Sequence, residues 1–266
     1  MSRSITRALV CALFAAAVGG PLGAAESVKP GQPTKNVVEL FAAIEAEDIE
    51  VKVFAKDSTG GTITVKNKTG KPLTVKVPEA FAGVPVLGQL CCPGGMCPGG
   101  GGGGGGNQGF GGGMGGMMGG GMGGMMGGMG GGMFNVAPEK VAKLKFVAVC
   151  LDHGLKDPSP HVEYKLVPID SYAKDPAVAE VIKFLVKGKL DQHSAQAAAW
   201  HLQNGLSWKE LARKIGAKHL NGTVEPYFTA LHLQRAATAT RLARDLAEKS
   251  QSAAPQTSLG QVSAGQ

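Results

Sequence analysis

"VAPEKVAKLKFVAVCLDHG" occupies residues 136–154, directly after a long run of glycine and methionine. Its pattern decides how the chain is organised. Pro138 and Glu139 suit a turn. Beyond them Leu144, Phe146, Ala148 and Cys150 recur every second residue, so they share one face of a half-buried strand. Strand sequence therefore resumes after the glycine run, and the same kind of sequence precedes it. "IEVKVFA" (49–55), "GTITVKNK" (61–68) and "PLTVKVPEAF" (72–81) alternate β-branched with polar residues. "STGG" and "KTGK" mark turns between them.

Either side alone has too few strands to bury a core. The expectation is one domain of class α+β: a small Ig-like antiparallel β-sandwich over 36–170, with a disordered Gly/Met-rich loop at 93–134 thrust out of it. "HVEYKLVPI" (161–169) adds a further strand, and "NVVELFAAIEAEDIE" (36–50) looks helical, with Val38, Phe41 and Ile44 on one side.

The next segment, 171–250, is predicted to be a helical bundle. Asp175 and Pro176 open "AVAEVIKFLVK", which Gly188 ends. Ser194 is expected to cap "AQAAAWHLQ". Ser207 and Glu210 fit a capping box for "WKELARKI", ended by Gly216. Residues 225–249 read as a long Ala-rich helix, and 251–266 as a disordered tail.

The N-terminus has the layout of a secretory signal. Arg3 and Arg7 precede an apolar run, Ala8 to Val18, too short to span a bilayer, and Gly23, Ala24 and Ala25 offer a cleavage site. Cys11 lacks the residues that a lipidation signal needs before it. Residues 1–25 are read as signal peptide and 26–35 as linker. The mature chain is then exported, periplasmic or extracellular, without a transmembrane segment. Arg3 and Arg7 carry two of the seven net positive charges, leaving a mild five. That balance gives a weak preference for acidic surfaces, so a protein or an envelope polymer is the expected partner. Export and the shortage of aromatics argue against nucleic acid.

Four of the five cysteines survive signal removal, Cys91, Cys92, Cys97 and Cys150. In an oxidising compartment disulfides among them are expected, with one pinning the base of the glycine loop. The tract itself has two readings. Met114, Met117, Met118, Met122, Met125, Met126, Met129 and Met133 offer soft thioether donors suited to Cu(I). The same composition also describes a flexible, faintly apolar chain, and its Gly-Gly-Met pattern resembles the tails of bacterial chaperonins. Flexible loop is the default, so no cofactor is assigned beyond that speculative copper.

The sharpest signal pairs Cys150 with Gln196. "AQAAAW" (195–200) resembles the Thr-Gln-x-Ala-Ile-Trp motif of bacterial surface-adhesin thioester domains, with Cys150 at the position of that family's strand cysteine. Ala195 stands for the family's Thr and Ala199 for its Ile, and the interval between the two residues is short. The resemblance implies an internal thioester between Cys150 and Gln196 that captures a partner's amine. The plain alternative is a buried cysteine and an Ala-rich packing helix with Trp200 in the core.

Cys150, Asp152 and His153 are residue types for thiol catalysis, but strand alternation points Cys150 and His153 apart. "GLSWKELARKIG" resembles part of a helix-turn-helix without a basic recognition helix. No enzyme is expected. The leading expectation is an exported structural or interaction protein, with covalent adhesion and soft-metal binding as alternatives.

Overall fold

The computed structural model describes residues 37–86, 106–114 and 132–253. In chain order the first half runs β1 (Val37–Glu39), α1 (Leu40–Glu45), β2 (Ile49–Asp57), β3 (Gly60–Asn67), β4 (Leu73–Lys76) and β5 (Phe81–Pro85). There follow β6 (Phe110–Gly113), β7 (Met133–Val136), β8 (Val141–Cys150) and β9 (Tyr164–Pro168). The last part holds α2 (Ala177–Val186), α3 (Gln192–Asn204), α4 (Trp208–Ala212), β10 (Ile215–Lys218), β11 (Val224–Pro226) and α5 (Ala230–Ala253).

Six strands close into a barrel in the order β2-β3-β8-β6-β5-β9. Every neighbouring pair is antiparallel, and β9 returns to β2 through Val53 and Tyr164. A three-stranded sheet, β1-β4-β7, lies apart from the barrel's hydrogen bonds, with β1 parallel to β4. The expected Ig-like sandwich is therefore corrected to a barrel. Alternation reports only that each strand buries one face. Whether the sheets stack or close depends on which edges meet, and here β9 joins the free edges of β2 and β5.

The glycine tract is also corrected. Phe110–Gly113, inside the expected loop 93–134, is barrel strand β6, with Phe110 opposite Cys150 and Gly113 opposite Val147. Met133–Val136 forms β7 against β4. Glycine carries no side chain, so a strand of it leaves no periodicity to read. Its lack of a Cβ also gives the barrel room. A Cβ on Gly83 would overlap the Phe110 ring. That ring is buried, stacked on Phe146 at 5.1 Å and tilted against Tyr164 at 5.2 Å.

The C-terminal segment is not a separate helical bundle. Val178 and Ile182 of α2, the alanines of α3, and Val149 and Leu151 around the end of β8 belong to one buried cluster. The helices thus cover a barrel wall, burying apolar surface at roughly 25 cal/mol per Å². α4 keeps the expected capping box of Ser207 and Glu210. It stops at Ala212, however, and β10 and β11 then pair as an antiparallel ribbon. The long helix consequently starts at Ala230, not 225. The cap of α3 is Asp191, whose carboxylate accepts from the Ser194 amide and hydroxyl at 2.9 and 2.7 Å. The N-terminal helix shrinks to Leu40–Glu45, because Glu47 turns at φ 57° and Ile49 enters β2.

Candidate functional site

β3 ends before β8 does. Their ladder stops at Gly60–Val147, and the Ala148 amide donates to the Thr59 carbonyl at 2.8 Å. The remaining edge of β8 has backbone groups with no strand beside them, and unpaired buried groups of that kind cost free energy. Helix α3 supplies the partners. Gln192 Nε2 donates to the Ala148 carbonyl at 2.6 Å. One turn on, Gln196 Oε1 accepts from the Cys150 amide and Gln196 Nε2 donates to the Cys150 carbonyl, both at 2.8 Å.

The two periods match. Four helical residues rise about 6.0 Å, and two strand residues rise about 6.6 Å. Glutamines at i and i+4 therefore meet strand residues at j and j+2. The contact continues past the strand: the His153 amide donates to Asn204 Oδ1 at 3.3 Å, and the His153 ring stands edge-on to Trp200 at 4.8 Å. Close approach is possible because Ala195 and Ala199, on the same face of α3 as Gln192 and Gln196, put only methyl groups into the seam, while Ala197 and Ala198 are buried elsewhere in the same core. The run "AQAAAW" is thus both a spacing device and the carrier of Gln196.

Cys150 is 1% exposed and Gln196 4%. Cys150 is a free thiol, directed at the Ser58 carbonyl 3.9 Å away. Burial, reinforced by the charges of Asp157, Asp152 and Asp57, lifts its pKa well above the ordinary thiol range. It is a thiol and not a thiolate at neutral pH, so any addition by its sulfur has to pass the thiol proton on in the same step. Asp152 and His153 do not serve it. Asp152 Oδ2 accepts from the Gly109 amide at 2.7 Å and the Tyr172 hydroxyl at 2.6 Å. His153 Nε2 lies 3.1 Å from Lys214 Nζ.

Among the described residues three buried side-chain polar atoms have no hydrogen-bond partner: Gln108 Oε1, Tyr164 Oη in the barrel interior and Trp200 Nε1 on α3. Gln108 uses its amide nitrogen on Asp157 Oδ1 at 2.7 Å. Burial pushes the Tyr164 phenol up to about 12.

Of the other predicted site residues, the two that the structure describes lie elsewhere. Met114 packs half-buried on the barrel core, and Met133 is exposed on β7. Met117, Met118, Met122, Met125, Met126 and Met129 lie outside the described residues, as do Cys91, Cys92 and Cys97. Among the described residues no group of three or more His, Cys, Asp or Glu side chains is placed to hold a metal, and no helix is long and apolar enough to cross a membrane. Sequence reasoning missed Gln192. Its signal was present, since "DQHSAQ" (191–196) puts two glutamines four apart beneath a capping aspartate.

A scan against protein-family models, a search of curated proteins and a search of solved structures return no match to this chain.

Proposed function

We propose that this chain is an exported interaction protein that holds its partner covalently, through an internal thioester between Cys150 and Gln196. The observation that carries the reading is the seat of the Gln196 carboxamide on the Cys150 backbone, at 2.8 Å on both sides. Two residues 46 apart, singled out by their resemblance to thioester domains, are in direct contact and buried.

The chemistry balances without a cofactor. The Cys150 sulfur adds to the Gln196 carboxamide carbon, and the carbon–nitrogen bond breaks. The thiol proton leaves with the amide nitrogen as ammonia, and an acyl–sulfur bond remains. A partner's amine then attacks the acyl carbon, forming an amide and returning the Cys150 thiol. Burial favours such a bond by keeping out the water that would hydrolyse it. Each molecule reacts once, so the protein is a binder and not an enzyme.

Intact mass of the mature protein tests the proposal. The expected result is a deficit of one ammonia, abolished by Cys150→Ala and converted to an adduct by methylamine. A full mass with a Cys150 thiol that alkylates after unfolding would overturn it, and leave Gln192 and Gln196 as a latch for the β8 edge.

A further inference from the structure

Trp200 follows Gln196 by one helical turn and begins a second cluster. Lys214 Nζ lies 4.9 Å from the Trp200 ring centroid and 5.6 Å from that of Tyr227. Both are inside the roughly 6 Å at which a ring face attracts a cation. The ammonium also donates to His153 Nε2 at 3.1 Å, which requires a neutral imidazole. Burial and the Lys214 charge lower the His153 pKa, which favours that form. Among the described residues no carboxylate lies within ion-pair distance of Lys214. Its partners are two aromatic faces and one ring nitrogen.

We infer that Trp200, Tyr227 and His153 form a cage for an alkylammonium group, that Lys214 is its resident occupant, and that a lysine side chain of a partner exchanges for it. Two further observations point to a ligand. The indole N–H of Trp200 is buried, on a side chain 5% exposed, and has no acceptor. A bound chain's carbonyl would satisfy it. Beside the cage lies a cavity of about 280 Å³ lined by His153, Leu206, Glu210, Leu211, Arg213 and Lys214, half open to solvent.

The route of exchange is built into the chain. Lys214 and Tyr227 stand at the two feet of the β10–β11 ribbon, joined by the Tyr227 amide donating to the Lys214 carbonyl at 2.8 Å. Every residue of both ribbon strands is exposed. A lone two-stranded ribbon is marginally stable in water, so a swing of this one draws Lys214 out, and the cage closes on the incoming ammonium when Tyr227 packs back on Trp200 and Phe228. The role of the cage in capture rests on the thioester reading, because it delivers an amine one turn from Gln196. Ammonium binding does not rest on it.

The first test is therefore made on Cys150→Ala protein, which forms no covalent bond. Binding of N-acetyl-lysine methylamide is compared with that of the uncharged N-acetyl-norleucine methylamide, following the Trp200 indole N–H by NMR. In the added variants Lys214→Ala and Lys214→Met, the lysine probe is expected to bind about 2- to 30-fold tighter than the norleucine one, and tighter than to the Lys214 parent. Unchanged melting temperatures verify folding. No preference for lysine in either folded variant would overturn the cage. A second test uses protein that shows the ammonia deficit. Lys214→Met is expected to accelerate capture of the lysine probe and leave reaction with uncharged hydroxylamine unchanged. Equal acceleration of both would mean that the substitution only opens the site, and would sink the exchange. Absence of the deficit in wild type would sink the thioester and leave the first test standing.

Discussion

Gly113→Ala distinguishes a barrel strand from a loop by the sign of its effect. In an unstructured loop the substitution removes freedom from the unfolded chain and stabilises by about 0.4–1 kcal/mol. In β6 the new methyl has nowhere to go. Its Cβ would overlap the backbone carbonyl oxygen of Glu79 and stand 2.5 Å from Val186 Cγ2. A backbone oxygen does not yield as a side-chain tip does. Overpacking of this kind costs about 1–3 kcal/mol, which in a domain of this size lowers the melting temperature by roughly 2–12 °C. Gly111→Ala serves as a graded control. Its Cβ meets Ile182 Cδ1 at 2.5 Å, the far end of a side chain that can rotate, so its cost should be smaller. Thermal and urea unfolding, followed by circular dichroism, measure both. A Gly113→Ala protein as stable as wild type, or more so, would refute the placement of the glycine run in the barrel wall.

The β8 edge predicts unequal costs for two glutamines on one helix. In a Cys150→Ala background, Gln196→Leu leaves the amide and carbonyl of residue 150 unpaired and should cost about 2–6 kcal/mol, while Gln192→Leu strands only the Ala148 carbonyl and should cost about 1–3 kcal/mol; equal, small losses in urea unfolding would contradict the latch. Tyr164 predicts an alkaline transition. Its pKa is raised on folding to about 12, and an unfolded tyrosine ionises near pH 10. Its contribution is thus complete below about pH 10 and lost as pH climbs towards about 12. Tyr164→Phe should flatten that part of the melting profile and, by removing an unpaired buried hydroxyl, leave neutral-pH stability unchanged or higher; a steeper alkaline loss in the variant would count against the assignment.

Much of the site was legible in the sequence and less of the fold. Ser207 and Glu210 announced their capping box because that interaction is local, complete within four residues. The pairing of Cys150 with Gln196 was reachable because the motif carried it. Barrel closure was not, because it depends on β9 meeting both β2 and β5, a contact between segments far apart in sequence. β6 was hidden for another reason. "FGGG" (110–113) has one side chain to show, and its strand character comes from the neighbours on either side. The β10–β11 ribbon was masked by helix-favouring residues around it. The cage was invisible because α3, the α4–β10 junction and β11 meet only in the folded chain.

These features converge on one seam, and its energetics bear on the proposed bond. Forming the thioester expels the Gln196 nitrogen, so the bond it donates to the Cys150 carbonyl is lost, at about 1–3 kcal/mol for a carbonyl left unpaired in the interior. Against this, the new covalent link joins residues 46 apart, and a cross-link closing a loop of that length removes unfolded-state entropy worth about 4 kcal/mol. The cross-link wins by a small margin. The alanines that bring α3 against β8 thus do two things at once. They let side-chain amides finish a strand edge, and they seat the Gln196 carboxamide on the backbone of Cys150, where both residues are buried. When a partner's amine opens the proposed bond, the cross-link is gone, but the new secondary amide again carries one N–H at the position from which Gln196 donates to the Cys150 carbonyl. On that proposal the reacted seam gives up the cross-link and keeps the amide contact, so its stability should fall back towards that of the Cys150→Ala protein.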